Sequence, residues 1–162
     1  MGVLGTTGDP VRDREERDRE EKVYYGGTFN GNVQAMAVGI AVLGFLRAHP
    51  GLYGQLNARG EAVRQRIRAV ARKGGYPVTV MGDGSLFMAR MVTNPVRSHR
   101  DFAGERRAAY VQMFPRLLRH GVFLPNAHFG LVSTAHTEDD VTRIVEAHAH
   151  VFHELRALGL FS

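Results

Sequence analysis

The sequence predicts an α+β domain in two layers: a small, mainly antiparallel sheet packed with helices and preceded by a long apolar helix. Three observations predict it. Apolar residues recur at a spacing of about 3.6 in several long stretches, as amphipathic helices require. Between those stretches lie short apolar runs bounded by glycine and proline, the signature of hairpin strands. The chain has 162 residues, 44% apolar and 23% charged, which is ordinary globular composition and enough for one domain.

The elements follow in order. Residues 1–22 have almost nothing apolar to bury, and Val11 to Lys22 reads VRDREERDREEK. This segment is expected to be a charged flexible tail outside the domain, which then spans residues 23–162. Tyr24 to Asn32 is turn chemistry with aromatics inserted. It runs into VQAMAVGIAVLGFLRAH, residues 33–49, a helix apolar on nearly every face with small residues at Ala35, Ala37, Gly39, Ala41 and Gly44. Such a helix demands burial on all sides. A domain this small cannot cover it fully, so a partner surface is expected.

A second helix is expected over 52–73, with Leu52, Tyr53, Leu56, Val63, Ile67, Val70 and Ala71 as its apolar stripe. Its arginines, Arg59, Arg64, Arg66, Arg68 and Arg72, lie largely off that stripe and read as a solvated face. Gly74-Gly75 stops it. Val78–Met81 and Leu86–Val92, joined by Gly82-Asp83-Gly84-Ser85, read as a hairpin. A third helix is expected over 102–120, with a possible kink at Pro115. Val122–Leu124 and Leu131–Ser133 read as two more short strands. The last helix starts at Thr137, which has capping-box spacing to Asp140, and runs to about Leu158. Its inner face is Val141, Ile144, Val145, Val151, Phe152 and Leu155.

Composition excludes several chemistries. With no cysteine, there are no disulfides, thiolate metal sites or cysteine nucleophiles. No apolar run reaches the roughly 18 residues of a membrane span, and the start lacks a secretory core, so a cytoplasmic protein without membrane contact is expected. The net charge is +5, the first 22 residues holding five bases and seven acids. Bases and acids are interspersed, which gives no nucleic-acid signature. The cations are almost all arginine: Lys22 and Lys73 are the two lysines.

Gly26-Gly27-Thr28-Phe29-Asn30-Gly31-Asn32 is the most informative segment. Glycines allow close backbone approach, Thr28 offers a hydroxyl, and the helix start offers unpaired N–H groups and a positive dipole end. The combination reads either as a phosphate seat or as a plain turn with an Asn cap. Other constellations are weaker. His148, His150 and His153 with Glu146 and Glu154 lack HxxxH spacing and a third ligand, and read as a helix face rather than a metal site. His136 beside Ser133 has no acid to complete a triad.

GGTFNGN followed by QAMAVGIAVLGFL resembles the GGT(F/Y)xGNPxAMAAGLAxLExL block of class III pyridoxal-phosphate aminotransferases, in the branch of glutamate-1-semialdehyde 2,1-aminomutase. HPGLYGQLNARGEAVRQRI, GDGSLFMARM and GVFLPNAHFGLVSTAHTEDDVTRIVEAHAHVF resemble later blocks of the same family, in the same order, over about residues 24–158. The resemblance implies the C-terminal small domain of a fold-type I pyridoxal-phosphate enzyme. It implies that Thr28, with Gly27 and Gly26 as permissive backbone, contacts the phosphate of pyridoxal 5'-phosphate in trans, across a subunit interface. It also implies an amino-acid or amino-aldehyde substrate, and places Asn126 and His128 in a loop near it.

The chain departs from the family pattern in three ways. The family carries the coenzyme lysine upstream of GGT, where this sequence has only the 25-residue tail. Lys22 and Lys73 are both poorly placed to replace it. FGLVS is about two residues shorter than the family's FExxFxS, and Val33 replaces a frequent proline. The expectation is a chain with no catalytic residue of its own, working with a separate large-domain chain or in a homo-oligomer. The alternatives are an inactive remnant that serves as a binding or regulatory partner, and a truncation product.

Overall fold

The computed structural model describes residues 27–125 and 129–162. The tail 1–22, Gly26, Asn126 and His128 lie outside the described residues. Among those described there are four α-helices, one 3₁₀ helix and a three-stranded sheet of order β1-β2-β3. The chain divides at His49/Pro50 into two compact units.

The first unit carries helix α1, Val33–Ala48. Asn32 caps it, its side-chain oxygen accepting the Ala35 N–H at 2.9 Å. None of its residues is buried, and Val33, Ile40 and Leu43 are 81%, 74% and 67% exposed. The helix that composition requires to be covered therefore stands uncovered.

The second unit starts with α2, Leu52–Gly74, which ends in the left-handed cap Gly75 at φ 59°. Strands β1 (Thr79–Met81) and β2 (Leu86–Arg90) pair antiparallel with Val80 opposite Ala89. A 3₁₀ turn, His99–Phe102, precedes α3, Arg107–Arg119. Strand β3, Gly130–Leu131, pairs antiparallel with β2 through Phe87 and Gly130. Helix α4, Glu138–Ala157, carries the expected capping box between Thr137 and Asp140. Val63 and Ile67 of α2, Phe87 of β2, Met113 and Leu117 of α3, and Val141, Val151 and Phe152 of α4 form one core.

Four expectations are corrected. Residues 122–124 form no strand: they pair with no ladder, and a short apolar run is a strand only if one accepts it. Helix α3 starts at Arg107 rather than 102, because the preceding residues are used otherwise. The Arg106 N–H donates to the Met91 carbonyl, and Glu105 makes a two-toothed pair with Arg90 at 2.6 and 2.7 Å. Pro115 sits inside α3, which continues through it.

Of the α2 arginines read as a solvated face, Arg72 is exposed as expected, but the other four are engaged. Arg64 is buried and donates to the Gly84 and Leu86 carbonyls at 2.8 and 2.5 Å, while its Nε–H meets Glu61. Arg68 donates to the Val80 carbonyl, Arg66 pairs with Glu138, and Arg59 reaches the Ser133 carbonyl. These bonds satisfy carbonyls that turns and strand edges leave open. Close approach makes them possible: a Cβ on Gly60 would overlap the Gly84 carbonyl oxygen.

The fourth correction concerns His148, read as part of a solvated or half-buried helix face. It is fully buried between Phe87 and Phe152, with Nδ1 bonded to the Ile144 carbonyl at 2.7 Å and Nε2 unpartnered. Burial holds its pKa down, from 6.5 to about 4.

Two outcomes follow. Gly60→Ala should destabilise the fold by about 1–3 kcal/mol, since backbone on the other side cannot move aside as a side chain can. Urea unfolding measures it, and an unchanged midpoint would contradict the close-approach argument. For His148, the unfolded state binds the proton first as pH falls. Stability should therefore drop from about pH 6.5 to about pH 4, by about 3 kcal/mol in total. His148→Leu should remove that component, so parallel stability profiles of the two proteins would contradict it.

Candidate functional site

In the first unit, residues 27–32 form two successive turns. The Asn30 N–H donates to the Gly27 carbonyl at 3.0 Å and the Asn32 N–H to the Phe29 carbonyl at 3.1 Å. Gly31 takes φ 74°, the left-handed value that the third position of such a turn requires. The Asn30 side chain folds back to within 3.1–3.3 Å of where a Gly27 Cβ would stand. Thr28 is exposed at the apex, and its hydroxyl makes no hydrogen bond to another described residue. The turn leads directly into the N-terminus of α1, whose first turn has no acidic residue. An exposed hydroxyl beside a helix N-terminus suits an anion.

In the second unit, a cavity of about 380 Å³ is floored by Phe87 and Ile144 and walled by Val122, Leu124 and Leu131. Gly130 makes room for the floor, because a Cβ there would overlap the Phe87 ring. His136, Asp140 and Arg143 supply its polar side. The sequence flagged His136 only as a residue beside Ser133. Its Nδ1 lies 2.9 Å from the Ser133 hydroxyl, but it also accepts the Ser133 backbone N–H at 3.1 Å. Nδ1 is thus a fixed acceptor, and Nε2 carries the proton. That arrangement orients a ring as a donor and does not activate a nucleophile. Asp140 is held ionised, its carboxyl well below the usual range, first by the Thr137 N–H and then by the Thr137 hydroxyl.

The remaining candidates are scattered. His120 bonds Glu154 at 2.7 Å and stacks on His150, and Arg116 and Arg119 also face Glu154. The hydrogen bond to His120 is the largest cause that holds the Glu154 carboxyl below its ordinary value, and the charges of Arg119 and Arg116 add to it. His153 is exposed apart from these. Lys73 is exposed in the last turn of α2. No single helix among the described residues is long and apolar enough to cross a membrane.

Comparison with known proteins gives the context. No family model matches the chain. It is 36% identical over 135 residues to a glutamate-1-semialdehyde 2,1-aminomutase of Deinococcus radiodurans, covering 80% of this chain and 30% of that protein. Among solved structures, it matches an omega-transaminase from Sphaerobacter thermophilus with TM-score 0.71 at 28% identity, over 96% of this chain and 33% of the other. It also matches a β-phenylalanine aminotransferase from Variovorax paradoxus with TM-score 0.69 at 31% identity, over 87% and 33%. The chain thus spans about a third of the length of the proteins it matches. In sequence and in fold, it corresponds to the C-terminal part of class III pyridoxal-phosphate-dependent aminotransferases, the branch of glutamate-1-semialdehyde 2,1-aminomutase included.

Proposed function

We propose that residues 23–162 act as the small domain of a pyridoxal-phosphate-dependent aminotransferase or aminomutase. A large domain carried by another segment supplies the lysine that holds the coenzyme's aldehyde. The observation that carries this reading is the uncovered apolar surface of α1, joined at its N-terminus to the exposed Thr28 turn. The large domain covers α1, and covering it brings the Thr28 hydroxyl to an anionic ligand.

The residues present fit the phosphate end of the coenzyme. Thr28 donates its hydroxyl, Gly27 keeps the approach free of a side chain, and the start of α1 contributes positive potential. Gly26 extends the same permissive backbone in sequence. When bound, the coenzyme supplies the electron sink for moving an amino group. This chain's part is to grip the phosphate and exclude water at that end. The described residues offer no lysine for the aldehyde: Lys73 is solvated at the end of an amphipathic helix. As the resemblance implies, the contact is made in trans, and amino-acid or amino-aldehyde substrates reach a site that two segments build.

Purifying the assembled protein from its own cells through a tag on this chain tests the reading. A lysine-bearing large-domain segment should co-purify, with bound pyridoxal phosphate. Thr28→Ala should lower coenzyme affinity about tenfold, the loss of one hydrogen bond to a charged group. Thr28→Ser should restore it. Full coenzyme affinity in Thr28→Ala would refute the phosphate contact. A coenzyme-free assembly would instead favour the inactive regulatory partner.

A further inference from the structure

Strand β1 is an outer strand of the sheet, and one side of it meets no other strand among the described residues. Alternation along the hairpin decides which groups face that side. The Val132 N–H donates to the Ser85 carbonyl at 3.0 Å, so Ser85 and, two residues on, Phe87 turn their backbone groups to β3. Met88 and Arg90 then turn theirs to β1, opposite Met81 and Thr79. Val80 lies between those two, so its N–H and C=O point away from β2. The Val80 carbonyl accepts the Arg68 Nε–H at 3.1 Å. The Val80 N–H makes no hydrogen bond to another described residue, although Val80 is only 6% exposed. A covered donor without an acceptor costs free energy. Val80 and the Arg68 that holds its carbonyl both line a groove of about 400 Å³. Val78 and Thr79 complete its strand side, and Gln65 and Arg72 its helix side.

The groove has a sign. No acidic side chain among the described residues lines it. Glu61 is shared between Arg64 and Arg68, and Arg72 is exposed with no ion pair to another described residue. Arg68 and Arg72 stand four residues apart on α2, a rise of about 6 Å. Alternate side chains of an extended strand stand about 6.8 Å apart, so two carboxylates on one face of a strand match the two guanidiniums. A second copy of this edge would bring arginine against arginine, which repel. We propose that the groove receives an extended acidic peptide segment of a partner protein, added as a strand beside β1. A peptide carbonyl accepts the Val80 N–H, and carboxylates at alternate positions meet Arg72 and the Arg68 Nη2, which no described residue holds. The proposal stands without the coenzyme reading, because the groove belongs to the second unit and Thr28 to the first. Failure of either leaves the other untouched.

The test is a titration of the full chain with a blocked pentapeptide in which valine and glutamate alternate, read by backbone amide NMR and hydrogen exchange. Matched peptides carry glutamine or lysine in place of glutamate, or proline at the centre, which a paired strand does not accept. The glutamate peptide should bind saturably and shift the amides of Val78, Thr79 and Val80. It should also slow exchange at the Val80 N–H, which is fast in the free chain. The glutamine peptide should bind about tenfold more weakly, the scale of two solvent-exposed ion pairs. The lysine and proline peptides should not saturate. Arg72→Gln, at an exposed position, should cost the glutamate peptide about fivefold and leave the glutamine peptide unchanged. Absence of a saturable shift would overturn the proposal. So would saturation that leaves Val80 exchange fast, or an Arg72→Gln protein that binds the glutamate peptide as tightly as the parent. Slowing of Val80 exchange with protein concentration alone would assign the edge to a second copy and overturn it too.

Discussion

Everything distinctive about this chain depends on one unsatisfied constraint: α1 is apolar on nearly every face and none of its residues is buried. Water opposes that arrangement in proportion to apolar area, at roughly 25 cal/mol per Å². An isolated helix of 16 residues is also marginal by itself. Local devices define where it starts. Asn32 caps it, and Gly31 supplies the turn before it. Neither device covers its faces. The turn and the helix are one continuous piece, so whatever covers α1 also fixes where the Thr28 hydroxyl is delivered.

The second unit solves the opposite problem. Its helices are amphipathic and find their partners within the unit. Helix α2 lies close on the hairpin because Gly60 has no side chain there, and Arg64 and Arg68 then reach carbonyls of the turn and of β1. At the other side of β2, Arg90 stacks between Phe102 and Tyr110 while pairing with Glu105. Breaking such a pair would leave a charge without a partner in a dry place, so the segment is held in register. The result is a stiff wall on which Phe87 and Ile144 sit in fixed places, and a stiff wall is what a small-molecule cavity needs.

Much of this was legible in the sequence. The four helices and the hairpin followed from apolar period, and the Thr137–Asp140 cap from spacing alone. The misses share a cause. Val122–Leu124 has strand composition, but strand identity belongs to a ladder, and no neighbour among the described residues offers one. Arg64 looked solvated because its acceptors are backbone carbonyls 20 and 22 residues away, which no local pattern reveals. His148 sits among exposed His150 and His153 in sequence, yet one hundred degrees of helix rotation per residue puts it in the core. The Thr28 turn was visible because its residues are contiguous. The cavity was not, because its floor comes from β2 and its charges from α4, and only folding brings them together.

The most direct measurement is hydrogen exchange along Val33–Ala48, in the purified chain and in the assembly isolated from cells. The account requires fast exchange through α1 in the chain alone and strong protection in the assembly, with α2 and α4 protected in both. Strong protection of α1 in the monomeric chain, or exchange unchanged by assembly, would contradict the claim that α1 exists to be covered by a second segment.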